Sequence, residues 1–211
     1  MKYTDKFLQR ARIAGQLLEW VPFMRMAGLN GSIVRGEETE KSDIDFLIIA
    51  RHGRLYTARF FATIFVHLTG WRRYGDKIAG RICLNCYLSD KKLDITPRDP
   101  KSLGKVARAY KYLIPLVDIN RTSNKFFEIN KWFCGYKVAG SKYQRKLIDE
   151  ISPRGPEKPV RFFEIYLKGS VGNWVEKKLM DYQVKRIVAG KKTGDETVAT
   201  QDEIRLHPKK Q

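Results

Sequence analysis

The chain has 211 residues, 43% of them hydrophobic and 30% charged, and a net charge of +18. That length and balance suit one domain with a real core, or a domain with an appendage, and exclude a disordered chain. No apolar run reaches the ~18 residues that span a bilayer, no signal-peptide pattern opens the chain, and three irregularly spaced cysteines exclude a disulfide framework, so a cytoplasmic protein with no membrane partner is expected.

In chain order, Asp5 to Trp20 carries apolar residues at helical spacing, and Val21 to Leu29 follows as a first strand. Gly31-Ser32 ends that strand in a turn, and Glu37 to Lys41 reads as an exposed loop. Asp43-Ile44-Asp45 opens a second strand that is apolar on both faces through Ala50, hence central in a sheet. Leu55 to Leu68 reads as a buried helix stopped by Gly70. Trp71-Arg72-Arg73-Tyr74 mixes aromatic and basic groups suited equally to base stacking and to covering a core edge. Arg81 to Leu88 and Leu93 to Thr96 read as a hairpin. Pro97 and Pro100 then mark a boundary between a core of residues 1–98 and a mainly helical, basic region of residues 99–211.

In that second region, Val106 to Leu113 is predicted helical and Leu116-Val117 a short extended piece. Thr122 to Tyr136 is an amphipathic helix, Ser152 to Pro159 a proline-rich loop, and Val160 to Val188 one long helix or two with a break at Gly169 and Gly172. Thr193 to Gln211 is polar and expected to lack fixed structure towards its end. Residues 1–100 carry 17 basic against 11 acidic side chains, and residues 101–211 carry 24 against 12. The excess favours a polyanionic partner, though spread-out charge also serves as a plain solvated surface.

Chemistry concentrates between Leu29 and Ala50. Side chains alternate along a strand, so Asp43 and Asp45 share a face, while Ile44, Phe46 and Ile48 take the other. Two adjacent carboxylates repel and are costly to desolvate, and a divalent cation with hard oxygen ligands, such as Mg²⁺, is the simplest compensation. Gly31 permits a tight turn and close approach of a ligand. Ser32 offers a hydroxyl at a possible helix start. Cys83 and Cys86 form a C-x-x-C, but an offset of three in a regular strand puts the sulfurs on opposite faces, so buried thiols are the default and zinc is disfavoured.

Gly31-Ser32, a spacer of about ten residues, Asp43-x-Asp45 and a following apolar run resemble the signature of the DNA polymerase beta-like nucleotidyltransferase superfamily. The resemblance implies an α/β (α+β) fold with a mixed sheet flanked by helices, followed by a helical C-terminal region. It also implies a third carboxylate on a neighbouring strand, for which Asp94 in Leu93-Asp94-Ile95 fits the pattern and neutral Asn85 is the competitor. The implied reaction moves a nucleoside monophosphate, as from ATP, to a hydroxyl acceptor and releases pyrophosphate. Asp43, Asp45 and Asp94 would hold two Mg²⁺ ions (or Mn²⁺) and carry catalysis. Gly31, Ser32 and, more weakly, Arg35 would bind the triphosphate. RNA or another polyanion is the favoured acceptor, and a small-molecule adenylyltransferase is a further reading. A fold that has lost productive metal binding and serves as a nucleic-acid-binding module is the alternative.

Overall fold

Apolar strands and amphipathic helices assemble into a six-stranded mixed sheet in the computed structural model, which describes residues 3–138, 163–191 and 196–207. The strands β1 (Met24–Asn30), β2 (Ile44–Ala50), β3 (Ile82–Ser89), β4 (Ile114–Asp118), β5 (Glu196–Ala199) and β6 (Glu203–His207) lie in the order β4-β1-β2-β3-β6-β5. The central strands β1, β2 and β3 are buried almost throughout, as their two apolar faces require. β2 runs antiparallel to β1 and parallel to β3. Parallel neighbours need a crossover, and helix α3 (Leu55–Leu68) supplies it.

Each face of the sheet carries its own apolar layer. On one face Phe46 and Ile48 meet Ala11 and Leu18 of α1 (Tyr3–Leu18) and Ala58 and Ala62 of α3. On the other, Leu47 and Ile49 meet Ala107 and Tyr110 of α4 (Leu103–Tyr110) and Phe126 of α5 (Thr122–Ile129). A single helical turn, Ser32–Arg35, links β1 to the loop before β2. We number it α2, and the long C-terminal helix Ser170–Ala189 is α6. No described helix is long and apolar enough to cross a membrane.

Several expectations need correction. Leu93 to Thr96 is no strand and forms no hairpin with β3. Instead Leu93 and Ile95 bury their side chains in the second apolar layer. The Asn130 side chain ties their backbone down, accepting from the Ile95 N–H at 3.0 Å and donating to the Leu93 carbonyl at 2.8 Å. The neighbour of β3 is β6, in a segment read as polar; alternating Ile204 and Leu206 turn inward, and β5 pairs with β6 as a hairpin. The extended piece at Leu116-Val117 is part of β4, which tolerates Pro115 because it is an edge strand. The helix expected over Thr122 to Tyr136 stops at Ile129 and continues as a 3-10 helix over Lys131–Gly135. In the expected 160–188 helix, α6 begins after Gly169, and residues 160–162 lie outside the described residues, as does the loop at 152–159.

α6 is fastened to α3 by polar groups, while its Leu179, Met180, Val184 and Ile187 pack on the first apolar layer. The first N–H groups of a helix lack partners within it. Here the buried Glu176 carboxylate accepts from the N–H groups of Tyr56 and Thr57 at 2.9 and 2.8 Å and from the Thr57 hydroxyl at 2.6 Å. Arg54, just ahead of α3, donates to the carbonyls of Leu167 and Lys168 and to Asn173. A negative charge at a helix N-terminus is further stabilised by the helix dipole. Removing the carboxylate strands three buried donors, so Glu176→Ala is expected to cost about 2–4 kcal/mol. Glu176→Gln, which keeps one acceptor, costs less; urea denaturation of the two variants measures the order.

Candidate active site

The ends of three strands meet at one corner of the sheet. The β1–β2 pairing sets Asn30 opposite Asp45, and the β2–β3 pairing sets Cys83 opposite Asp45 on the other side. Asp43 precedes β2 and points the same way as Asp45, because Ile44 and Phe46 go into the first apolar layer. One carboxylate oxygen each from Asp43 and Asp45 and the Cys83 sulfur lie within 4.8 Å of one another. Arg73, from the loop between α3 and β3, forms an ion pair with Asp43 and approaches the Cys83 sulfur at 3.6 Å. That loop runs beside β3: the Arg73 N–H donates to the Ile82 carbonyl at 2.9 Å, which aims its guanidinium at the acid pair.

The electrostatics follow from this crowding. Burial, then the charge of Asp43, push the Asp45 carboxyl up to about 6. A hydrogen bond from the Cys83 thiol and the guanidiniums of Arg73 and Arg35 oppose that rise. Burial, then the two carboxylates, push the Cys83 thiol far up, so it stays a neutral donor. The oxygen pair therefore suits a hard divalent cation, whereas the protonated thiol contributes little to one.

Gly31 is fitted to Asp45 in two ways. Its φ of 81° lies in the region that favours glycine, and a Cβ there would sit 2.4 Å from an Asp45 carboxylate oxygen. The Gly31 N–H does not face outward to an anion, because it donates to the Ala109 carbonyl at 3.3 Å. Ser32 starts α2 beside this corner, and its hydroxyl makes no hydrogen bond among the described residues. Arg35 is near enough to act on Asp45, but its fork is engaged: it pairs with Glu37 at 2.8 Å and donates to the Arg108 carbonyl at 2.9 Å.

Asp94 is not brought to this corner. Because β3 runs parallel to β2, its last residue Ser89 pairs with Ala50, at the opposite end of β2 from Asp45. Asp94 lies beyond that end, exposed, and accepts from the Thr96 N–H at 2.8 Å. Asn85 does not face Asp45 either. It falls where β3 carries an extra residue, since Asp45 pairs with Cys83 but Leu47 with Cys86. The same irregularity turns Cys83 and Cys86 to one face, against the expectation of opposite faces. Cys86 packs in the second apolar layer rather than with the acid pair.

Sequence reasoning missed Arg73 and Cys83. Arg73 stands out in the sequence only as part of an aromatic-basic run, and its aim depends on backbone pairing with Ile82, nine residues further along the chain. Cys83 has the sequence signature of a buried thiol, and the register that makes it Asp45's neighbour is not visible in composition. A family model described as a nucleotidyltransferase domain matches residues 13–114, a little under half of the chain. No curated protein and no solved structure matches the chain.

An acid whose native value is raised binds protons more tightly folded than unfolded, so its contribution to stability falls as pH rises from about 4 to about 6 and stays lost above. In chelator, Asp45→Asn is therefore expected to be more stable than the parent at pH 8, by about 1–3 kcal/mol. The difference shrinks below pH about 4, where Asp45 is protonated in both states. Urea denaturation across pH checks the sign.

Proposed function

We propose that this protein, whose residues 13–114 match the model of a nucleotidyltransferase domain family, moves a nucleoside monophosphate from a nucleoside triphosphate such as ATP to a hydroxyl acceptor, with release of pyrophosphate. The observation that supports this reading best is the convergence of Asp43, Asp45 and Gly31 at one corner of the sheet. Asp43 and Asp45 are the groups to hold a divalent ion, in our reading Mg²⁺, with Mn²⁺ as a substitute. Such an ion, when bound, would polarise the α-phosphoryl group and offset the charge of the departing pyrophosphate.

The chain's own residues take the remaining roles. Gly31 leaves the Asp45 carboxylate the room that a Cβ would take, so that the acid stands at the turn where the triphosphate is to bind. Ser32 offers its hydroxyl to the triphosphate from the start of α2. Arg73 lowers the cost of the paired carboxylates before substrate arrives and, on exchange of Asp43 for a cation, turns its fork to phosphate oxygens. Arg35 steadies the corner through Glu37 rather than holding phosphate directly. Two carboxylates suffice for one ion held by protein, and any second ion would rely mainly on the substrate's own phosphates. Asp94 has no part in this set. The acceptor we favour is RNA or another polyanion, on the strength of the +18 charge.

A second reading has its own support. A neutral Cys83 beside the pair, and a guanidinium already bonded to Asp43, suit a fold whose metal binding is weak and whose task is to bind nucleic acid. The two readings separate on turnover. Mg²⁺-dependent pyrophosphate release from ATP, CTP, GTP or UTP, assayed with RNA present, is expected for the parent and is expected to fall at least about 100-fold in Asp43→Asn and Asp45→Asn. Arg73→Ala is expected to bind Mn²⁺ more tightly in calorimetry, because a competing cation is gone. No triphosphate turnover in the parent, with RNA binding unchanged in Asp43→Asn, favours the binding module instead.

A further inference from the structure

The outer side of α6 is unusual for a helix that packs on a core. Its inner side is spent on Gly172, Glu176 and Gln183 and on the apolar Leu179, Met180, Val184 and Ile187, which pack on the core. Outside, Trp174, Lys178, Tyr182 and Arg186 recur every four residues and so form one slanting stripe about 18 Å long. Trp174 is 62% exposed and Tyr182 58%, too much for residues that serve packing. Each cation lies over the ring that precedes it. The Lys178 ammonium is 6.0 Å from the Trp174 ring centre and the Arg186 guanidinium 5.8 Å from that of Tyr182, and Arg186 also donates to the Tyr182 hydroxyl at 3.2 Å.

At its C-terminal end the stripe runs into two further guanidiniums. Arg59 of α3 donates to Gln183 of α6, lies over Tyr87, and keeps a buried Nε without a partner among the described residues. Arg72 precedes Arg73 in the extended segment that bridges to Ile82, so the two side chains leave on opposite sides of the backbone. Burial, then the charges of Arg59 and Arg186, depress the proton affinity of Arg72, which places the three guanidiniums in one field. None of the three forms an ion pair with a carboxylate among the described residues. Asp181 is the one acidic residue on the outer side of α6.

We propose that this stripe, Trp174–Lys178–Tyr182–Arg186 continuing into Arg59 and Arg72, is a docking surface for a single-stranded nucleic acid. Exposed rings offer faces on which bases stack, and uncompensated cations between and beyond them hold phosphates. A duplex keeps its bases stacked on each other and cannot use the rings. The surface deepens the acceptor reading above and rests on it in one respect: Arg72 adjoins Arg73, so a strand lying on α6 is led round the edge of the sheet towards Asp43 and Asp45. Binding itself needs no turnover.

Fluorescence anisotropy of the full chain with fluorescein-labelled single-stranded RNA tests the surface, with a duplex of the same sequence and heparin as comparisons. Trp174→Ala with Tyr182→Ala is expected to weaken single-strand binding at least about tenfold while leaving heparin binding unchanged. Arg72→Ala with Arg186→Ala is expected to flatten the dependence of log affinity on log salt by about 0.7 per cation removed. Circular dichroism confirms that these surface variants fold. The proposal is overturned if the ring variants bind single strands as the parent does, if duplex and single strand bind alike, or if the parent self-associates in size-exclusion chromatography and Trp174→Ala abolishes it. A parent that releases pyrophosphate yet ignores single strands defeats the surface alone. Stripe-dependent binding without any turnover upholds the surface and defeats only the catalytic reading.

Discussion

Two carboxylates held side by side, half out of water, are the constraint around which one corner of this molecule is built. Their mutual repulsion and desolvation are unfavourable, and the chain meets that cost with specific neighbours. Arg73 brings a full positive charge to Asp43, and the Cys83 thiol gives Asp45 a neutral hydrogen bond. Gly31 stays bare so that the Asp45 oxygen has room. Remove the pair and none of these three choices has a reason: an arginine would be aimed at nothing, and a glycine at positive φ would be a needless cost.

The sheet separates two tasks. Its second face, with α4 and α5, supports the acid corner, and the Gly31 N–H bonded to Ala109 locks the turn onto α4. Its first face carries α1 and α3, and α6 lies over α3 through Glu176, Arg54 and Gln183. Leu179, Met180, Val184 and Ile187 of α6 add apolar contacts to that fastening, and the outer side of the helix is left to large exposed aromatic side chains. The segment at residues 71–73 joins the two faces: one arginine turns to the acid pair and its neighbour to α6.

Much of the fold was legible. The helices near Asp5–Trp20 and Leu55–Leu68 and the strands around Asp45 and Cys86 carry strong periodic signals, and their apolar residues are numerous enough to decide their own structure. Legibility failed where local preference is weak and a partner decides. Leu93 to Thr96 has a strand-like pattern, but its backbone groups are claimed by the Asn130 amide, and it packs as an irregular segment. Glu203 to His207 has few apolar residues and becomes a strand because the edge of β3 offers unpaired backbone groups.

From the sequence alone came the pairing of Asp43 with Asp45 on one face, the turn at Gly31-Ser32, and the resemblance to a nucleotidyltransferase domain. These are local facts, set by a period of two along a strand and by the backbone freedom of one glycine. Only the tertiary structure decided which side chains join that pair. The parallel pairing of β2 and β3, with one extra residue in β3, brings Cys83 rather than Asn85 or Asp94 beside Asp45, and the loop laid along β3 brings Arg73. Register and strand direction are properties of two segments together, fixed by the burial each gains from the other, so no reading of either segment by itself contains them.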